Sequence, residues 1–143
     1  LPIALKTAVD FVLNYDLRRQ FEAENADAAR VRALVEQAQV GNVELQRDVL
    51  SYAIKGNFDR RLDRLVRSPD DVPWLAGTAD LAEVVRSMGL EVNLWKTQNL
   101  CFQMLQSVVP ERQAKAGQGD AAAAEWLPHF NKLCEQLGLK VNG

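Results

Sequence analysis

The chain has 143 residues, with 17 basic and 19 acidic side chains and a formal net charge of −2. That length is typical of one domain with a core of its own. Because basic residues are not in excess, neither the phosphates of nucleic acid nor an anionic membrane surface is expected as a partner.

The two cysteines, Cys101 and Cys134, lie within helical patterns and have no metal-ligand spacing. We interpret them as buried free thiols of a cytoplasmic protein. No apolar run is long enough for a membrane-spanning helix, and the N-terminus lacks the basic segment of a signal peptide. The sequence begins at Leu1 rather than Met. This favours a single domain over residues 1–143 that is a C-terminal fragment of a larger protein.

Three helices are predicted in the first half of the chain, over residues 2–24, 28–41 and 44–67. The first has apolar residues at helical spacing: Leu5, Ala8, Val9, Val12, Leu13, Leu17 and Phe21. In the third, Gly56 predicts either a close approach of another backbone or a kink. The mixed charges of residues 59–64 are interpreted as a solvated face with pairs at i,i+4 rather than as a binding patch.

A fourth helix is predicted to start within residues 68–73 and to end at Gly89. Either Ser68 caps it with Pro69 at the first helical position, or Asp71 caps it with Pro73 harmless in the first turn. A fifth helix is expected to begin at residues 91–93 and to end at Val109, because Pro110 follows.

Residues 111–119 are polar and contain glycine, which predicts a mobile loop. Asp120 is expected to cap a sixth helix over residues 121–137, in which Pro128 predicts a kink or a later start. Since no segment shows the alternation of a strand, the predicted fold is all-α, a bundle of about six helices without a sheet.

No residue pattern supports catalysis by this chain. Its only histidine, His129, follows a proline and has no nucleophile at a recognisable spacing. One histidine and two separated cysteines do not form a metal site, and no glycine-rich phosphate loop is present. We therefore expect no catalytic residue, no metal and no cofactor, and the chain alone is not expected to be an enzyme.

Residues 91–99 (EVNLWKTQN) crowd an indole, three amides, an acid and a lysine into one segment. In one continuous helix, residues 91, 95, 98, 102, 105 and 109 share a heptad seam, which puts Gln98 in the apolar stripe. A buried amide without a partner costs about 1–3 kcal/mol.

Two interpretations of this segment stay open. Either Gln98 and Asn99 bond to the backbone of a neighbouring helix and Trp95 fills the core, or Asn93, Trp95, Gln98 and Asn99 line a groove for a sugar-like or peptide partner. The other two tryptophans, Trp74 and Trp126, are expected to be core or domain-contact residues.

Residues 13–18 (LNYDLR) and 91–99 resemble the C-terminal helical region of bacterial amylase- or mannosidase-like proteins with a glycoside hydrolase family 57 type catalytic region. The resemblance covers residues 1 to about 108 and carries over no catalytic residue. It implies an accessory domain that packs on or completes an upstream catalytic domain of the same chain, with α-glucan as a further ligand. Trp95 would contact either the glucan or that catalytic domain. The alternative is an independent helical interaction or homodimerisation module.

Overall fold

The computed structural model describes residues 2–141, and this part of the chain folds into six helices without a strand. They are α1 (Ile3–Glu22), α2 (Ala28–Val40), α3 (Arg47–Arg67), α4 (Val72–Ser87), α5 (Trp95–Gly117) and α6 (Ala121–Gln136). The predicted all-α bundle is therefore confirmed. Within the described residues, no helix is long and apolar enough to cross a membrane.

The helices form two groups of three that share one core. In the first, α1 packs against α2 and α3, and in the second, α6 packs against α4 and α5. Contacts of α4 with α2 and α3, and of α3 with α5, join the groups. The largest fully buried side chains include residues from both: Phe21, Phe58, Leu65, Leu75, Trp126 and Phe130.

Aspartates begin three of the helices, as their sequence positions predict for two of them. Asp71 accepts a hydrogen bond from the backbone N–H of Trp74 at 3.1 Å, and Pro73 lies in the first turn of α4. Asp120 accepts one from Ala123 N–H at 3.1 Å at the start of α6. Asp27 does the same for α2. Each carboxylate satisfies a backbone donor that has no partner inside the helix.

The predicted boundaries of the fifth helix are wrong at both ends. Helix α5 begins at Trp95 rather than at residues 91–93, and it continues through Pro110 to Gly117. The predicted loop over residues 111–119 is therefore mostly helix. Pro110 removes only one backbone donor, and the residues after it include good helix formers. Arg112 also ties this last part of α5 to Asp70 through an ion pair. The predicted start of the sixth helix is confirmed, because α6 begins at Ala121 after the Asp120 cap and includes Pro128, so it does not start later.

Gly56 lies within α3 and has no close backbone neighbour from another element. A Cβ atom built there would meet only the Arg60 guanidinium, at 3.1 Å. The predicted close approach of another backbone is therefore wrong.

The apolar stripe of α1 is only half buried. Leu13, Leu17 and Phe21 are in the core, whereas Leu5, Val9 and Val12 are exposed. None of residues 2–12 is buried. Periodicity alone cannot distinguish a stripe that faces this core from one that faces outwards, so this difference was not predictable.

Candidate functional site

Trp95 and Asn93 lie together at the start of α5. The Asn93 side-chain oxygen accepts a hydrogen bond from the Trp95 backbone N–H at 3.1 Å. The Trp95 side chain is 69% exposed, so the interpretation that it fills the core is wrong. Asn93 thus organises the first turn, and the indole stands at the surface where another molecule can reach it.

Gln98 is held by the segment that directly follows α6. Its side-chain nitrogen donates a hydrogen bond to the carbonyl oxygen of Leu137 at 2.9 Å, directly after α6. The structural interpretation of Gln98 is therefore confirmed. Asn99 is half-buried, and its side chain makes no hydrogen bond within the described residues.

The buried face of α5 differs from the predicted heptad seam. Its buried residues are Thr97, Cys101, Met104 and Val109. Glu91 precedes the helix, and Phe102 is 50% exposed. Trp95, Asn99 and Phe102 are spaced at i, i+4 and i+7, so they follow one another along the outside of α5. We call these three residues the α5 stripe.

A second exposed apolar surface lies on α1, and three of its residues, Leu5, Val9 and Val12, belong to the apolar stripe that the sequence predicts as core. Leu5, Val9 and Val12 share one face of the helix. Phe11 and Tyr15 are stacked beside them, with ring centroids 6.3 Å apart. We call these five residues the outer face of α1. Single exposed apolar residues are ordinary, whereas contiguous ones mark interaction surfaces.

A cavity of about 420 Å³ lies where α3 meets α4 and the end of α1. It is lined by Glu22, Glu24, Arg60, Arg61, Asp63, Arg64, Arg67 and Trp74. We call it the arginine cavity. The predicted solvated face over residues 59–64 is wrong for Arg61, which is only 4% exposed.

The cysteines are free and buried, as predicted. Interaction with the Cys134 thiol, together with burial, raises the pKa of the Cys101 thiol. Cys101 is therefore a poor nucleophile, because only a thiolate attacks readily. Among the residues that the structure describes, no three His, Cys, Asp or Glu side chains are placed to hold a metal ion.

No protein-family model, no curated protein and no solved structure matches this chain.

Proposed function

We propose that this chain is a non-catalytic helical domain that docks onto a second protein domain through the outer face of α1. The observation that carries the proposal is the first half of α1, where none of residues 2–12 is buried although most of them are apolar. Burying apolar surface is worth about 25 cal/mol per Å², so a partner that covered this face would be held mainly by the hydrophobic effect.

The two charged side chains in the first half of α1, Lys6 and Asp10, leave that part of its outer face suitable for an apolar partner. Lys6 and Asp10 lie 3.1 Å apart in an ion pair, and Lys6 also donates a hydrogen bond to the carbonyl oxygen of Asn42. These polar groups already have partners on the side of α1 that faces the α2–α3 connection. A partner that covered Leu5 and Val9 would therefore not bury an unpaired charge of Lys6 or Asp10.

We propose further that the partner is a family 57-like catalytic region, which would make the chain an accessory domain of a cytoplasmic glycoside hydrolase. The resemblance of residues 13–18 and 91–99 supports this partner, since the first segment lies on α1 and the second contains Trp95. The exposed indole and the Asn99 amide of the α5 stripe also have the chemistry to contact a sugar ring and its hydroxyls. The alternative is a homodimer that uses the same face.

The test pairs the chain with a separately produced family 57-like catalytic region and measures complex formation by size-exclusion chromatography with light scattering. Val9→Glu and Val12→Glu should abolish the complex, because each places a charge in the apolar contact. Val40→Glu is the matched control, since Val40 is 90% exposed at the end of α2. Equal binding by all three variants would contradict the proposal.

The same measurement on the chain alone decides the alternative. A dimer that Val9→Glu converts to a monomer would identify a second copy as the occupant of the outer face. Titration with an α-glucan oligosaccharide tests the α5 stripe separately, because ring stacking should change the emission of Trp95, and Trp95→Phe should remove that signal. An emission spectrum that oligosaccharide leaves unchanged would exclude a glucan contact at Trp95.

A further inference from the structure

The arginine cavity concentrates positive charge on one stripe of α3. Arg60, Arg61, Arg64 and Arg67 all line it, at spacings of i, i+1, i+4 and i+7. Like charges at i,i+4 destabilise a helix by a few tenths of a kcal/mol per pair. Four guanidinium groups on one wall therefore favour a carboxylate partner in the protein or an anion from outside.

The carboxylates of the cavity do not supply enough partners. Glu22 pairs with Arg18 at 3.9 Å, and Asp63 pairs with Lys96 at 3.6 Å. Glu24 reaches only Arg64, at 4.0 Å.

Arg64 is the one cavity arginine with acidic partners. Besides Glu24, it contacts Asp71, at 3.4 Å. Within residues 2–141, Arg60, Arg61 and Arg67 form no ion pair. Three of the four guanidinium groups thus lack a counter-charge from the described chain.

Arg61 is the deepest of these groups and is fixed in place. It donates hydrogen bonds to Thr78 Oγ1 at 3.0 Å and to the Ala26 carbonyl oxygen at 2.8 Å. Its Nε is buried and has no hydrogen-bond partner in the described part of the chain. Burial, with a contribution from the charge of Arg64, lowers the pKa of Arg61 to about 10. The guanidinium still carries its charge at neutral pH, so it adds a positive potential that water screens less than it would at an exposed site.

Trp74 restricts the orientation of two of the arginines that line the cavity, Arg61 and Arg64. The guanidinium carbons of Arg61 and Arg64 lie 4.1 and 3.9 Å from the centroid of its ring. The indole N–H donates to the Arg61 carbonyl oxygen at 3.1 Å, which fixes the ring against α3. A stacked guanidinium loses less conformational entropy when it binds a ligand, because its orientation is already restricted.

We propose that the arginine cavity binds a phosphate group, either as inorganic phosphate or as the phosphate of a small phosphomonoester. Arg67, which forms no ion pair within residues 2–141, would bind its oxygens together with Arg64, whose contacts with Glu24 and Asp71 the ligand would replace in part. Arg60 would complete the wall. Arg61 would attract the phosphate through its buried positive charge without contacting it. Several arginines that converge on one cavity suit a tetrahedral dianion, which offers more acceptor oxygens than one carboxylate does.

The test is a titration of the isotope-labelled chain, followed through the arginine Nε–Hε and tryptophan indole signals. Sodium phosphate should shift the signals of Arg61, Arg64 and Trp74 along a saturable curve, whereas sodium chloride of equal ionic strength should not. Phenyl phosphate is the second probe. Tighter binding of phenyl phosphate would identify a phosphomonoester as the ligand class, and equal affinity would identify the phosphate group alone.

Variants assign the binding to the cavity. Arg64→Gln and Arg67→Gln should each weaken phosphate binding about tenfold, which corresponds to about 1.4 kcal/mol. Arg47→Gln removes the same charge at the far end of α3 and should change the affinity less than twofold. Shifts that phosphate and chloride cause equally, or equal binding by the Arg47, Arg64 and Arg67 variants, would overturn the proposal.

Discussion

Arg61 connects three segments that are far apart in the sequence. Through its side chain, α3 is tied to Ala26 before α2 and to Thr78 of α4, and its carbonyl oxygen accepts the indole N–H of Trp74. Arg61 therefore supports the fold whether or not the cavity holds a ligand.

Replacement of this arginine should lower stability strongly. Arg61→Met keeps much of the apolar stem but leaves the Ala26 carbonyl and the Thr78 hydroxyl without their donor. Unsatisfied buried polar groups cost about 1–3 kcal/mol each, so we expect a loss of about 3 kcal/mol in the free energy of unfolding, measured by urea denaturation. Arg67→Met is the control, because Arg67 is exposed. A midpoint that both substitutions leave unchanged would show that Arg61 does not hold these segments together.

Gln98 and Trp95 should respond differently to truncation. Gln98→Ala removes the donor to the Leu137 carbonyl, and we expect a loss of about 1 kcal/mol or more in unfolding free energy. Trp95→Ala leaves no buried cavity, because the indole is at the surface, so its effect should stay within about 0.5 kcal/mol. Thermal unfolding of both variants provides the check. The assignment is wrong if Trp95→Ala is the more destabilising of the two.

Residues whose role depends on near neighbours were predictable, and those that depend on tertiary contacts were not. The Asp120 cap follows from the few residues after it and was predicted, and the Asp71 cap was one of the two that the sequence offered for α4. The partner of Gln98 lies 39 residues away. The burial of Arg61 inside a charge run depends on Trp74 and Thr78, which belong to another helix. No local pattern distinguishes that arginine from its solvated neighbours.

Among the elements, the number and type of helices were predictable because their apolar periodicity is strong. Their ends were less so where proline was the only signal. Pro110 predicts the end of the fifth helix, yet α5 continues through it to Gly117. A single missing hydrogen bond is tolerated there because the following turn gains the ion pair of Arg112 with Asp70. Leu5, Val9 and Val12 of the outer face of α1 were predicted as core for a related reason. Periodicity identifies an apolar face without showing what covers it.

Helix α3 should gain stability from a single substitution at its centre. Gly56→Ala adds a Cβ whose only near neighbour is the flexible end of the Arg60 side chain, 3.1 Å away. Alanine is favoured over glycine within a helix by up to about 1 kcal/mol, so the unfolding free energy should rise by roughly that amount. Gly89→Ala is the opposing control, because Gly89 has a φ of +67° that alanine rarely adopts. A lower melting temperature for Gly56→Ala would show that Arg60 cannot move aside.

At the scale of the whole molecule, charged side chains connect the two groups of helices and also act within the second. Arg32 of α2 pairs with Glu83 of α4 at 3.1 Å, and Lys132 of α6 pairs with Asp80 at 2.7 Å and with Glu83 at 3.3 Å. Hydrogen bonds from Arg32 and Lys132 lower the pKa of Glu83. The hydrogen bond to Asp80 is the main cause that raises the pKa of Lys132.

These shifts predict a dependence of stability on pH. Since the folded pKa of Glu83 lies below the ordinary value of 4.5, its contribution is complete above that value and is lost as the pH falls through the lower folded value. Glu83→Gln should therefore be less stable than the natural chain at neutral pH, and the difference should disappear in acid. Melting temperatures measured across this range provide the test.

Glu125→Gln is the control for the pH series. Glu125 is exposed on α6 and forms no ion pair within residues 2–141. Its removal should leave the acid dependence unchanged. If Glu83→Gln and Glu125→Gln follow the same curve, the bridge between α2, α4 and α6 does not contribute to stability.

Helix α6 fastens the connection between α3 and α4. The indole N–H of Trp126 donates to the carbonyl oxygen of Pro69 at 2.6 Å, and Trp126 is fully buried against Phe130. A ribosome makes every surface that α6 covers before it makes α6 itself. The nascent chain must therefore leave the exit tunnel with the apolar side of α4 still open to water, and a chaperone that shields such surfaces would have its longest opportunity to bind just before Trp126 emerges.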